Sequence, residues 1–264
     1  MLGTIVSTHR DQVTIHTYTS PEAGLEANTH IVALATQTLV LDTQYGRAFA
    51  DEAAEFARSL GKPVTRVYIS HDHPDHFFGT ASFSAPAYAL AETRASIDAI
   101  GPGALAGAQA ALGDAVPETL AAPSITVEPG EEVIDGVRFV FTSISDTEAG
   151  TILVISLPDE GIVFAQDLVY NNLHLYIAEH HLDSWRSQVQ YLKAQGFGTV
   201  LPGHGAPGGS ELYDFVLAYL DVATPALASA TDGDQLKKAL ISAFPEAGGT
   251  SLLDIQNRYI FPAV

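Results

Sequence analysis

The amino-acid sequence predicts an α/β protein, a four-layer αββα sandwich of two mixed β-sheets with helices on the outside. Two observations predict it. Short β-branched runs alternate with stretches of helical apolar period, and residues of metal-ligand type recur directly after such runs on both sides of Pro123. Layered α/β proteins commonly bind ligands at the carboxyl ends of strands, so the strand sets before and after Pro123 are expected to supply one sheet each. The 264 residues, 47% apolar and 16% charged, suit one well-packed domain over 1–264, with a core of about 13–222 and a C-terminal helical extension over 223–264.

In chain order, Asn28–Ala35 and Thr38–Asp42 read as adjacent strands joined by a turn at Thr36-Gln37. Arg47–Leu60 has Ala50, Ala53, Ala54, Phe56, Ala57 and Leu60 at helical spacing, and Gly61 stops it. Val64–Ile69 is a β-branched strand. Ala87–Leu90 is a short strand, Thr93–Ile100 a helix ended by Gly101-Pro102-Gly103, and Ala104–Leu112 a second helix. The pattern then turns to strands at Ile125–Glu128, Val137–Ser143, Thr151–Leu157 and Ile162–Ala165, the last two joined by a hairpin turn at Pro158-Asp159-Glu160-Gly161. Leu182–Gln195 is an amphipathic helix, Thr199–Leu201 a brief strand, and Ser210–Val222 and Asp234–Phe244 are further helices.

The strand Val64–Ile69 runs straight into Ser70-His71-Asp72-His73-Pro74-Asp75-His76, which gathers three imidazoles and two carboxylates in one loop. Such a set gains little unless a cation sits among it, and zinc takes N and O donors of this kind at about 2.0–2.2 Å. Asp146, Asp167 and His204 likewise follow strands, the last in Pro202-Gly203-His204-Gly205. Taken singly, each reads as well as a turn or cap residue. With no cysteine in the chain, thiolate metal sites, disulfides and cysteine nucleophiles are excluded, so His, Asp and Glu must hold any metal. The formal charge of -19 disfavours nucleic acid and anionic membranes as partners. No secretory leader or membrane-spanning run is visible, so a cytoplasmic protein is expected.

These residues together resemble the metallo-β-lactamase superfamily. His71-Asp72-His73-Pro74-Asp75-His76 matches that family's His-x-His-x-Asp-His signature, Asp167 its bridging Asp, His204 its last ligand, and Leu39-Val40-Leu41-Asp42-Thr43 its early strand ending in Asp-Thr. The resemblance spans about Asn28 to Gly205 and implies the αββα fold and a site for two divalent ions, zinc in the first place. It departs at one point: the family usually has a His within Gly-His-Thr where this chain has Ser145-Asp146-Thr147. If Asp146 replaces that His, His71, His73 and Asp146 serve one ion and Asp75, His76 and His204 the other, with Asp167 between them. The added carboxylate makes manganese or iron more competitive with zinc.

The resemblance implies a metal-dependent hydrolase in which an ion lowers the pKa of water to about 7 and Asp75 orients it and passes its proton to the leaving group. Tyr170 is a candidate hydrogen-bond donor to a substrate oxygen, and Asp72 a candidate orienting partner for an imidazole. Phe77, Phe78, Phe83 and Tyr88 with Leu173, Leu175, Tyr176 and Ile177 are expected to wall an apolar pocket for a neutral or acyl small molecule. A lactone or other carboxylic ester is the first expectation, a β-lactam or thioester the next. A mononuclear iron dioxygenase acting on a persulfide, using His71, His73 and Asp146 or Asp167, is the reading from another enzyme class; a non-catalytic binding protein is a third. The apolar segment Tyr259-Ile260-Phe261-Pro262-Ala263-Val264 is expected to dock on its own domain or on a second subunit, giving a monomer or a homodimer.

Overall fold

The computed structural model describes residues 1–262; Ala263 and Val264, the end of the apolar C-terminal segment, lie outside the described residues. Seven strands form the first sheet in sequential order: β1 (Thr4–His9), β2 (Thr14–Thr19), β3 (Asn28–Ala33), β4 (Thr38–Leu41), β5 (Val64–Tyr68), β6 (Ala87–Ala89) and β7 (Ile125–Thr126). The pairs from β1 to β4 are antiparallel and those from β4 to β7 parallel. The second sheet holds β8 (Gly130–Ile134), β9 (Val137–Ser145), β10 (Thr151–Leu157), β11 (Ile162–Tyr170) and β12 (Thr199–His204), antiparallel except for the parallel β11–β12 pair. Both sheets are mixed, and they divide at residues 126–130 rather than at Pro123.

Alternation along the strands builds the layers. Ile15, Val32, Leu39 and Leu41 of the first sheet meet Phe139, Leu153, Ile155, Ile162 and Phe164 of the second in the central core. Their neighbours Ile31, Val40 and Val67 face outward under Ala53, Ala54 and Ala57 of helix α1 (Arg47–Ser59) and the residues of α2 (Pro74–Phe77) and α3 (Ala91–Leu112). On the other side Ile152, Val154 and Val163 lie under Trp185 and Val189 of α4 (Leu182–Ala194) and Val216 and Leu220 of α5 (Glu211–Ser229). Helices α6 (Gly233–Ala243) and α7 (Thr250–Ile260) extend that outer layer. The order of layers is helix, sheet, sheet, helix.

The sequence-based elements differ from the structure where polarity hides periodicity. Strand β1 is a largely exposed edge, and β2 mixes Thr and His with Ile15 and Tyr18 on opposite faces, so neither shows a clear apolar face. Helix α3 runs through Gly101-Pro102-Gly103 without a break. Pro102 and Asp98 both lie on its exposed side, where water can satisfy the carbonyl that loses its partner. Gly101 instead allows close packing, since a Cβ there would stand 2.8 Å from Leu120 Cδ2. The same reasoning lets α5 continue past Val222 through the exposed Pro225.

Direct bonds tie the two sheets together at one end. Leu153 N donates to Ser70 O at 2.8 Å across the sandwich. Asn28 Nδ2 donates to Pro202 O (2.8 Å) and Gly205 O (2.7 Å). The loops after β4, β5, β9 and β12 all converge there. No helix among the described residues is long and apolar enough to cross a membrane.

Candidate metal centre

The loop after β5 turns inward because Asp42 holds it. Asp42 sits at the end of β4 with a positive φ of 56°, and its buried carboxylate accepts from Ser70 N (2.7 Å), Ser70 Oγ (2.6 Å), His76 Nδ1 (2.9 Å) and Gln166 Nε2. Fixing Nδ1 as the donor directs His76 Nε2 into the site. His71 is oriented in the same way by Ser70 Oγ at 2.8 Å from its Nδ1, and His204 by Leu25 O at 2.8 Å from its Nδ1. All three imidazoles therefore present Nε2 to one centre.

Around that centre the donors form three overlapping groups, one of which, Asp42 with His71 and His76, is the supporting set just described; the other two face it directly. His71, His73, Glu148 and Asp167 form one, and Asp75, His76 and His204 the other. His71 Nε2 lies 3.6 Å from Glu148 Oε2 and 3.9 Å from Asp167 Oδ2, and His73 Nδ1 lies 3.1 Å from Glu148 Oε1. His204 Nε2 is 3.3 Å from Asp75 Oδ2 and 3.1 Å from Asp167 Oδ2, while His76 Nε2 is 3.5 Å from Asp75 Oδ2 and 3.3 Å from Asp167 Oδ1. Asp167 thus faces both groups. Gly203 makes room for it, because a Cβ there would stand 1.7 Å from Asp167 Oδ1.

These residues fit divalent ions. His71 Nε2, His76 Nε2, Glu148 Oε2 and Asp167 Oδ1 are buried with no hydrogen-bond partner among the described residues. Unpaired buried polar atoms are costly, and imidazole and carboxylate atoms left so close together form a donor set that divalent cations would satisfy. Donors about 2.0–2.2 Å from a shared tetrahedral ion stand about 3.3–3.6 Å apart, close to the separations seen.

The electrostatics agree. Burial alone would lower all four imidazoles. For His73 burial is the largest single influence, but Glu148, with Asp75 and Asp72, overcomes it and lifts its pKa to about 10. Asp167 and Asp75 raise His76 and His204 despite burial. His71, with burial dominant and His76 beside it, is held well below the usual value. Burial pushes Glu148 up to about 7, against the pull of His73. Burial opposes ionisation of Asp167 too, but His76, His204 and His71 overcome it and hold that carboxylate far below its ordinary range.

Asp146 stands outside all three groups. Strand β9 ends at Ser145, and Asp146 takes the left-handed conformation (φ 56°) that opens the turn to β10, with Asp146 N bonded to Gly150 O at 3.1 Å. Asp and Asn tolerate this conformation better than most residues, and it leaves the side chain exposed. The turn instead folds Thr147, Glu148 and Ala149 inward, each 1% exposed. The carboxylate beside His71 and His73 comes from Glu148, a residue the sequence reading passed over.

Other sequence expectations shift as well. Tyr170 is 1% exposed, its ring stacked 4.7 Å from that of His204, and its hydroxyl donates to Asp167 Oδ2 at 2.8 Å and lies 3.3 Å from Glu148 Oε1. Asp72 orients no imidazole; it accepts from Ser96 Oγ on α3. Phe77, Phe78, Phe83, Leu173, Leu175 and Ile177 are core residues rather than pocket walls. Tyr176 alone of the expected wall meets the site, edge-on to His73 at 5.1 Å. His174 lies apart, bonded through Nδ1 to the Tyr219 hydroxyl at 3.0 Å.

The model of the metallo-beta-lactamase superfamily matches residues 24–204, and the chain belongs to that superfamily, a fold of metal-dependent hydrolases. Solved structures agree on the fold. A metallo-beta-lactamase from Pontibacter korlensis superposes with a TM-score of 0.64 at 20% identity, covering 83% of this chain and 99% of its own. The metallo-beta-lactamase IND-7 gives 0.65 at 19% identity, with 83% and 98% covered. FIM-1 from Pseudomonas aeruginosa, in its mono-zinc form, gives 0.61 at 19% identity, with 83% and 96% covered.

Proposed function

We propose that this chain is a two-metal hydrolase that opens a lactone or another neutral carboxylic ester by adding water across the acyl–oxygen bond. The observation that carries the reading is the ring of unpaired buried donors His71 Nε2, His76 Nε2, Glu148 Oε2 and Asp167 Oδ1. His71, His73 and Glu148 would hold one ion, Asp75, His76 and His204 the other, with Asp167 between them. Zinc is the first candidate; the three carboxylates keep manganese and iron in contention. Two such ions, when bound, would supply a water acidified from 15.7 to about 7 and a Lewis acid for the carbonyl.

The chain's own groups do the rest. The Asp75 side chain is 10% exposed, so an edge of its carboxylate reaches the opening, where it takes the proton of the attacking water and returns it to the departing alkoxide. Burial, then Asp167 and Glu148, keep the Tyr170 phenol protonated far above its usual range. Its one proton is donated to Asp167 Oδ2, and passing that bond to the oxygen on which charge develops would give the phenol a part in the reaction.

Charge supports a neutral substrate. Three carboxylates against two divalent ions leave one net positive charge, where an imidazole in place of Glu148 would leave two. An anionic substrate is drawn less strongly to such a centre. We also expect a small-molecule rather than nucleic-acid partner, given the net charge of -19.

Metal analysis of protein purified without added metal should find two divalent ions per chain. A panel of a γ-lactone, an aryl ester, a β-lactam and a thioester should show fastest turnover on the first two. One iron per chain with oxygen uptake on a persulfide would replace this reading with the dioxygenase. No ion at all would replace it with a binding protein.

A further inference from the structure

The family match ends at residue 204, yet the chain beyond it holds in place a segment that touches one of the site imidazoles. Residues 172–177, between β11 and α4, are bonded to the C-terminal part of the chain. Gly248 N donates to Asn172 O at 2.9 Å, and His174 N donates to Gly248 O at 3.0 Å. The His174 ring lies 3.0 Å from the Tyr219 hydroxyl on α5. Ile177 N donates to Oε1 of the fully buried Gln256 on α7 at 2.9 Å. That N–H belongs to the peptide directly after Tyr176, so the bond fixes the point from which the Tyr176 side chain leaves the backbone.

The Tyr176 ring meets His73 edge-on, with centroids 5.1 Å and planes 79° apart. Among the four site imidazoles His73 is the one that needs such support. Ser70 Oγ, Asp42 and Leu25 O each hold the Nδ1 of His71, His76 and His204 in turn. His73 instead turns its Nδ1 to Glu148, and its other nitrogen has no hydrogen-bond partner among the described residues. Its side chain is also the most exposed of the four, at 21%. What bounds the ring is aromatic: His71, edge-on at 4.7 Å, and Tyr176. Edge-to-face contacts at such distances are a favoured packing of rings.

We infer that Tyr176 is the positioning residue for His73, taking the part that a hydrogen bond plays for the other three imidazoles, and that the C-terminal helices set it there through Gln256. The inference rests on the reading of His71, His73 and Glu148 as ligands of one ion, and not on the choice of substrate. A ligand ring that is free to turn loses that freedom when an ion binds, so a ring already held in place binds the ion more tightly.

Titration of zinc in the full chain against a chelator tests this, with Glu148→Ala marking which of the two affinities belongs to the ion beside His73. Tyr176→Ala should weaken that ion about tenfold, the lower end of the effect of losing an outer partner of a metal ligand, and leave the ion assigned to Asp75, His76 and His204 unchanged. Tyr176→Phe keeps the ring and should keep both affinities. Gln256→Leu should weaken the same ion, by less than Tyr176→Ala does. A general loss of stability would instead weaken both ions alike. Both ions weakened alike in Tyr176→Ala, or neither, would overturn the inference. An effect of Tyr176→Ala with none from Gln256→Leu would overturn the part given to α7. If the wild type binds no ion, the two-metal reading fails and takes the inference with it. If the wild type binds two ions and Tyr176→Ala holds both as tightly, that reading stands and the positioning role alone fails.

Discussion

Glu148 Oε1 lies 3.1 Å from His73 Nδ1, two residues beyond the exposed turn residue Asp146. The position at which the chain departs from its family therefore contributes a carboxylate from 148, not from 146. If the site holds two ions as proposed, Glu148→Ala should weaken one of them by more than about 100-fold, beyond the 10–100-fold typical of losing an outer hydrogen-bond partner, and leave the one assigned to Asp75, His76 and His204 in place. Asp146→Gly, which suits the left-handed backbone, should keep both. Titration against a chelator reads the two affinities separately. Loss of an ion in Asp146→Gly with both retained in Glu148→Ala would reverse the assignment.

Much of the site was legible in the sequence because its chemistry is concentrated: His71, His73, Asp75 and His76 lie together directly after β5, and Asp167 and His204, expected just past strands, lie near the ends of β11 and β12, which run on to Tyr170 and His204. Glu148 was not, for a geometric reason. Successive residues of an extended chain face opposite ways, and the left-handed Asp146 resets which of them point inward. Ser145-Asp146-Thr147 looks like the family's Gly-His-Thr, but nothing local says that the turn starts there. The clue available was a second acid, Glu148, between Thr147 and Ala149 just before Gly150.

Gln166 is a positioning residue. It holds a positive φ of 49° where β11 shifts register, and its side-chain amide donates to Asp42, which in turn fixes His76. A left-handed non-glycine residue costs about 1–2 kcal/mol. Gln166→Gly removes that strain along with the bond to Asp42. Stability in urea should change by less than about 1 kcal/mol, while the ion held by His76 should bind about 10–100-fold more weakly. Equal metal affinity in the variant would reduce Gln166 to a packing role.

Tyr170→Phe separates donation from support. The ring, stacked on His204, is kept, and only the hydroxyl 2.8 Å from Asp167 Oδ2 is lost. If the phenol serves the developing charge, kcat falls about 100-fold, the scale of one such donor, with KM within about twofold and metal content unchanged. Should metal content fall in step with kcat, the phenol would act by holding Asp167 instead.

The last prediction concerns acid stability. His30 is fully buried on β3, with Nδ1 2.9 Å from Thr17 Oγ1 and Nε2 3.0 Å from Pro202 O. Its neutral ring donates to the carbonyl and accepts from the hydroxyl, tying β3 to β12, the strand that ends at His204. Burial pushes its pKa down to about 4, only partly offset by Asp42 and Pro202 O. The unfolded chain protonates this residue near 6.5, so between pH 6.5 and 4 the unfolded state binds more protons. Stability is therefore lost as pH falls through that window, and no further below it. The loss amounts to roughly 3 kcal/mol at 1.36 kcal/mol per unit. His30→Gln can still donate and accept but cannot titrate. Urea unfolding of both proteins, each stripped of metal by a chelator so that the site histidines contribute alike, should show a shallower decline between pH 6.5 and 4 in the variant, whatever its stability at pH 8. Parallel curves would mean that His30 carries no share of the acid sensitivity.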